Sequence, residues 1–163
     1  MRVLGVDPGT AVTGYGVVDC GDRDGENGAS RLGRLVECGI ITLASRGPLA
    51  PRLQQLHEGI ARLIARHRPT TLALENAFYR KNVRTTLVLG HARGVVLLAA
   101  QQEGLEIFEY SPATIKKTVA GGGAARKGQV AVMVARLLRL KQAPRPADAA
   151  DGVAVALTHI LRS

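Results

Sequence analysis

A chain of 163 residues, 46% of them hydrophobic, is long and apolar enough to fold as one domain over residues 1–163, and too apolar to be disordered. Its 22 Lys and Arg outnumber 13 Asp and Glu, for a formal charge of +9 that points to a polyanionic partner. Nucleic acid comes before membrane: there is no basic amphipathic helix, lipidation site or charged-then-apolar leader, and the longest apolar run, Gly94 to Ala100, is far too short to span a bilayer.

In chain order, Arg2–Asp7 is a short apolar run ending in an Asp-Pro-Gly turn, a first strand. Thr13–Asp19 is a second, with Gly14 and Gly16 allowing a close backbone approach. Gly21 to Ser30 is rich in Gly, Asp and Glu and reads as a long exposed hairpin loop, after which Leu32–Leu43 forms a third strand. The period then changes. Leu49, Leu53, Leu56, Ile60, Leu63 and Ile64 recur at helical spacing, predicting a helix over roughly Pro51–His67 that Pro69 stops. Thr70–Glu75 is a fourth strand, Arg84–Gln102 a long helix and Leu105–Glu109 a fifth strand. The strand–helix–strand order calls for parallel pairing with right-handed crossovers. Ser111 caps a helix that begins with Pro112 and runs to about Val119, and Gly121 to Gly123 break it. Further helices cover about Lys127–Leu140 and Asp148–Leu161, separated by Pro144 and Pro146. The expected fold is α/β: a five-stranded mixed sheet, an antiparallel meander plus two parallel strands, with helices on both faces.

Candidate chemistry lies in four acids. Asp7 ends the first strand before Pro-Gly, where an Asp is more often a turn residue than a catalyst. Glu75 closes the apolar fourth strand, and ligands of open α/β sheets bind outside the carboxyl ends of the strands. If the first and fourth strands are parallel neighbours, Asp7 and Glu75 converge there. Asp148 and Asp151 share one face at the start of the last helix, where an N-cap and a first-turn Asp fit equally well. The combination tips the balance, because three separate segments offer carboxylates in a chain short of acid. Clustered carboxylates repel unless cations neutralise them, and four of them balance two Mg²⁺ or Mn²⁺ ions. Two such ions about 4 Å apart stabilise the attacking and leaving oxygens of an in-line phosphoryl displacement. The acids thus point to metal-assisted phosphodiester hydrolysis.

The histidines add little. His57 and His67 read as solvated or half-buried, His91 sits within the long helix, and His159, two turns past Asp151, reads first as a core residue and second as a support behind a metal ligand. Cys20 and Cys38 suit no zinc motif and are expected to be small, buried and reduced in a cytoplasmic protein.

These residues sit in a familiar pattern. Gly5-Val6-Asp7-Pro8-Gly9-Thr10, Thr13-Gly14-Tyr15-Gly16-Val17, Glu75-Asn76-Ala77-Phe78-Tyr79-Arg80-Lys81-Asn82, Leu89-Gly90-His91-Ala92-Arg93-Gly94, Val130 to Val134 and Ala147-Asp148-Ala149-Ala150-Asp151-Gly152-Val153-Ala154 resemble, over nearly the whole chain, the RuvC family of Holliday-junction resolvases, a branch of the ribonuclease-H-like nucleases. The resemblance implies that Asp7, Glu75, Asp148 and Asp151 are catalytic ligands of two Mg²⁺ ions. It implies a homodimer that nicks opposed strands of a four-way DNA junction symmetrically, leaving 5′-phosphate and 3′-hydroxyl ends, in recombination and repair alongside RuvA and RuvB. By the same match Phe78 would stack on an unpaired base near the crossover, with Tyr79, Arg80, Lys81 and Asn82 exposed beside it, while Lys116 and Lys127 would contact phosphates near the scissile bond. Gly90 and Gly94 suit close helix packing, including packing across a dimer.

Three features depart from the family. The Cys20–Ser30 hairpin is longer and more acidic than usual, the chain ends at Ser163 without a basic tail, and Gly152 stands where Ala is common, at a helix cost of up to about 1 kcal/mol. Three other readings fit the sequence less well. An actin-like phosphotransferase needs a second phosphate turn and an adenosine site, and a YqgF-type nuclease acting on RNA should lack Phe78-Tyr79-x-x-Asn82. A non-catalytic junction-binding module should have lost at least one of the four acids, and all four are present.

Overall fold

Residues 1–20, 33–44, 47–76, 82–122 and 128–163 are described by the computed structural model. They form strands β1 (Arg2–Asp7), β2 (Val12–Asp19), β3 (Arg34–Thr42), β4 (Thr71–Glu75) and β5 (Glu106–Tyr110), and helices α1 (Leu49–His67), α2 (Val83–Gln102), α3 (Pro112–Ala120), α4 (Gln129–Leu137) and α5 (Ala147–Arg162). The hairpin loop, Phe78, Tyr79, Arg80, Lys81 and Lys127 fall outside the described residues.

β1 is the pivot of the sheet, whose order is β3-β2-β1-β4-β5. It pairs antiparallel with β2 and parallel with β4, so the meander and the parallel half meet along it. β4 and β5 are also parallel, as their connecting helix requires. The residues of β1 from Val3 to Val6 are all buried, as a strand covered on both faces should be. Their side chains alternate between two cores. Leu4 and Val6 join Val17, Leu72 and Leu74 against Leu56, Ile60 and Ile64 of α1 and Ala92 and Val96 of α2. Val3, Val18 and Ala73 face α3, α4 and α5 through Ile115, Val119, Val134 and Val153 to Leu157. The mixed five-stranded sheet with helices on both faces is therefore as expected.

Several boundaries differ for local reasons. α1 begins at Leu49 rather than Pro51, because a proline in the first turn withholds an N–H that has no helical partner there. Arg68, in the left-handed region with φ 47°, ends it one residue before Pro69. α4 is shorter than the expected Lys127–Leu140. Gly128 (φ 94°) precedes it, and beyond Leu137 Arg139 turns left-handed (φ 54°) while the Leu140 N–H reaches back to Ala135 O at 2.8 Å. The N-cap of α5 is Pro146, so Asp148 is a first-turn residue and not the cap. His67 is buried rather than solvated, its Nε2 2.7 Å from Glu37, whose other oxygen accepts the Tyr15 hydroxyl at 2.8 Å. Cys20 and Cys38 are half-buried thiols in no disulfide.

Two features bear on function. α5 is pressed onto the sheet at glycines. A methyl added at Gly152 would strike the Tyr15 backbone, and one at Gly14 would strike the Asp148 carbonyl. Gly152 is thus more than the small helix cost expected of it; it lets the helix sit down. α2, by contrast, leaves an apolar face uncovered. Val83, Leu87 and Leu98 are 73%, 60% and 53% exposed, and the helix as a whole is long and apolar enough to cross a membrane by length and composition. The unbroken run Gly94 to Ala100 understated that length, because the polar residues that interrupt α2 leave its average hydropathy high.

Candidate active site

β1 and β4 run parallel with Val6 opposite Leu74, so the next residues, Asp7 and Glu75, leave the same edge of the sheet side by side. Their carboxyl groups share a hydrogen bond. The close approach of Gly14 to Asp148 sets the start of α5 against the β1–β2 hairpin, which brings Asp148 and Asp151 to the same place. Asp7, Glu75 and Asp151 are half-buried and Asp148 is exposed. The N-terminus of α5, with no side-chain cap, offers its dipole to this negative cluster.

The electrostatics show that the other three acids act on Asp7. The Asp7 carboxyl is pushed up to about 8, first by burial, then by the charges of Glu75 and Asp151, the hydrogen bond with Glu75, and the charge of Asp148. Asp7 is the hub of this group. Among the described residues no three acids, histidines or cysteines form a ready-made metal cage. An all-oxygen donor set carrying mutually repelling charge fits a hard divalent cation.

A pH dependence follows. The unfolded chain holds the Asp7 proton only up to its ordinary 3.8, the folded chain up to about 8. Stability from this group is therefore complete below the lower value and drains away as pH rises through the upper one. Without divalent cation, the melting temperature should fall between about pH 5 and pH 8 and recover when Mg²⁺ is added. A melting temperature indifferent to Mg²⁺ at the alkaline end would count against cation binding here.

Beside the acids lies a cavity of about 140 Å³ lined by Asp7, Pro8, Glu75, Asn76, Thr86, Leu89, Gly90 and Arg93. Arg93 reaches across it from α2 to β5, its Nε donating to Glu109 at 2.9 Å. Asn76 and Thr86 were not singled out from the sequence. The only signal available was that Asn76 directly follows an acid at a strand end.

The other expected residues divide. Lys116 is exposed on α3 and makes no ion pair among the described residues. Asn82 is exposed, and its side chain caps α2 by accepting the Thr85 N–H at 3.2 Å. His159 has no part in the acid cluster. Its Nδ1 lies 2.8 Å from the Tyr110 hydroxyl and its ring 4.5 Å from that of Phe108, in a buried position that holds its pKa down.

A model of the crossover junction endodeoxyribonuclease RuvC family matches residues 3–159. The chain belongs to the RuvC family. It is 48% identical to the crossover junction endodeoxyribonuclease RuvC of Pelotomaculum thermopropionicum, with 98% of this chain and 92% of that protein covered. It is 49% identical to the RuvC of Halorhodospira halophila, over 97% of this chain and 89% of that one. Among solved structures, Thermus thermophilus RuvC in complex with Holliday junction substrate superposes with a TM-score of 0.87 at 34% identity, covering 99% of this chain and 94% of the other. The yeast mitochondrial Holliday junction resolvase Ydc2 shares the fold at 15% identity, with a TM-score of 0.69 over 98% of this chain and 78% of that one. The RuvC fold is thus the one assembled here around the parallel β1–β4 pair.

Proposed function

We propose that the protein resolves four-way DNA junctions by nicking two opposed strands symmetrically, through hydrolysis that leaves 5′-phosphate and 3′-hydroxyl ends. The observation that carries this reading is the coupling of Asp7 to Glu75, Asp148 and Asp151, three chain segments meeting at one sheet edge of a RuvC-family chain. The likeness to a RuvC bound to Holliday junction substrate supports the junction as the DNA in question.

Asp7, Glu75, Asp148 and Asp151 would hold two Mg²⁺ ions, with Mn²⁺ able to substitute. When bound, the ions supply Lewis acidity at the phosphate and at the oxygens that enter and leave it. The chain's own part is to place three further carboxylates around Asp7, to keep Asp7, Glu75 and Asp151 half-buried so that their field is strong, and to hold Asp148 and Asp151 against the sheet through the glycine contact beneath α5. The net charge of +9 draws the phosphate backbone in. Lys116 on α3 and Lys127 contact phosphates near the scissile bond, and Phe78 stacks on an unpaired base, flanked by Tyr79, Arg80, Lys81 and Asn82. Asn82 also caps α2, its side chain accepting the Thr85 N–H.

Symmetric nicking calls for two sites related by a two-fold axis, hence a homodimer. The uncovered face of α2 is the surface we assign to it. Val83, Leu87 and Leu98 form an exposed apolar stripe, and at Gly90 and Gly94 an added side chain would meet nothing, so a second helix can come close. Leu87→Asp should therefore shift the protein from dimer to monomer in sedimentation and turn paired nicks into single ones. A variant that still sediments as a dimer would move the interface elsewhere. RuvA and RuvB are the partners in branch migration that this reading implies, and the cytoplasm, where the DNA is, its place of work.

One preparation offered a four-way junction, a linear duplex and an RNA–DNA hybrid, with and without Mg²⁺, tests the whole reading. Paired nicks confined to the junction and dependent on the cation are expected. Cutting of the hybrid in preference to the junction would overturn it.

A further inference from the structure

The cavity beside the carboxylates contains a group that hydrolysis leaves unused. Asn76 follows Glu75 off the end of β4, its backbone N–H anchored to the Tyr110 carbonyl at 2.8 Å. Its side-chain Oδ1 is buried and accepts no hydrogen bond among the described residues. A buried acceptor with nothing to accept is costly, and native chains keep one where a ligand or substrate supplies the donor.

The surroundings say what kind of donor. Pro8 and Leu89 give the cavity apolar walls. Arg93, the cation in the lining, already has its charge met by Glu109. Asp7 and Glu75 close the opposite side with negative charge. A second phosphate would find no free cation among these lining residues and two acids against it. A neutral, flat group with N–H donors on its edge meets no such opposition. A carboxamide presents one acceptor and two donors in a plane, the pattern that pairs with base edges and bidentately with adenine.

We propose that Asn76 is a specificity-determining residue, whose carboxamide reads the edge of a nucleobase entering this cavity beside the scissile phosphate. The proposal rests on the junction-resolving reading above. It separates two tasks on neighbouring residues: Glu75 serves the reaction, while Asn76 favours one base at a fixed distance from the cut.

The test uses the full-length protein and a panel of four-way junctions that differ in one base at a time around the nick. Single-turnover cleavage in Mg²⁺ is compared for wild type, Asn76→Leu and Asn76→Asp. Wild type should separate the best from the worst base at one position by about tenfold or more. Asn76→Leu should level that position and no other. Asn76→Asp, nearly the same shape but accepting only, should re-rank it in favour of cytosine, whose N4 amine donates. The same base ranking in all three proteins would overturn the proposal, as would a uniform slowing across the panel, which is the mark of a residue that orients the site without reading it. If wild type nicks none of the junctions, the junction-resolving reading falls and this proposal with it. Unchanged ranking in active enzymes defeats the role of Asn76 alone.

Discussion

Asp7→Asn should abolish cleavage of a four-way junction in Mg²⁺ while leaving junction binding without divalent cation largely intact. Asp7 is the acid whose carboxyl feels all three of the others, so neutralising it removes the hub of the proposed ion site. Metal ions supply several kcal/mol of transition-state stabilisation, and each 1.36 kcal/mol is a factor of ten, so the expected loss is about a thousandfold or more. A second readout separates this from simple damage. The wild-type carboxyl resists ionisation up to about 8, so the amide, which has no charge to bury, should make the cation-free protein more stable than wild type near the alkaline end of that window. Mg²⁺ should then raise the melting temperature of wild type and leave the variant nearly unmoved. A variant cutting at near wild-type rate would remove Asp7 from the chemistry.

Gly152→Ala is the second large effect, from a residue that touches no substrate. In most helices this exchange would be stabilising by up to about 1 kcal/mol. Here the added methyl meets the Tyr15 backbone, which cannot swing aside as a side-chain tip would. Overpacking of this kind costs about 1–3 kcal/mol, a drop of roughly 2–4 °C in melting temperature for each kcal/mol in a chain of this size. Relief comes if α5 rides outward, and α5 carries Asp148 and Asp151 in its first turns. A shift of about 1 Å in a catalytic group can cost about a hundredfold in rate. Cleavage should therefore fall much further than stability, while junction binding changes little. Equal, small losses in both would mean that the helix absorbs the methyl without moving the acids.

Much of the fold could be read from the chain because its signals are local. β1, β4 and α2 carry continuous apolar or helical patterns bounded by Pro, Gly or polar caps, and their ends came out within a residue or two. The convergence of Asp7 and Glu75 was legible too, since two strands with acids at their ends need only be parallel neighbours to bring them together. What escaped were properties that exist only between elements. Gly152 was read as a helix penalty because its partner, the Tyr15 backbone, lies on a strand far away in the chain. Asp148 fitted an N-cap as well as a site residue, yet the cap is Pro146, two residues earlier. The ends of α4 depended on backbone reversals at Gly128 and Arg139, of which only the glycine is marked in sequence. Asn76 drew no notice, since a buried acceptor without a donor is a fact of three-dimensional surroundings.

The order of synthesis gives the arrangement of acids a further meaning. Among the described elements, β1, bearing Asp7, comes first, and α5, bearing Asp148 and Asp151, comes last. Chains emerge from the ribosome N-terminus first, and contacts this distant in sequence close late. A partly made chain already displays many of the Lys and Arg residues that attract DNA, but it owns only half of the acid quartet. On the proposed reading, cleavage would wait for α5 to dock and complete the acid quartet, so a chain made only as far as β5 would bind DNA without cutting it.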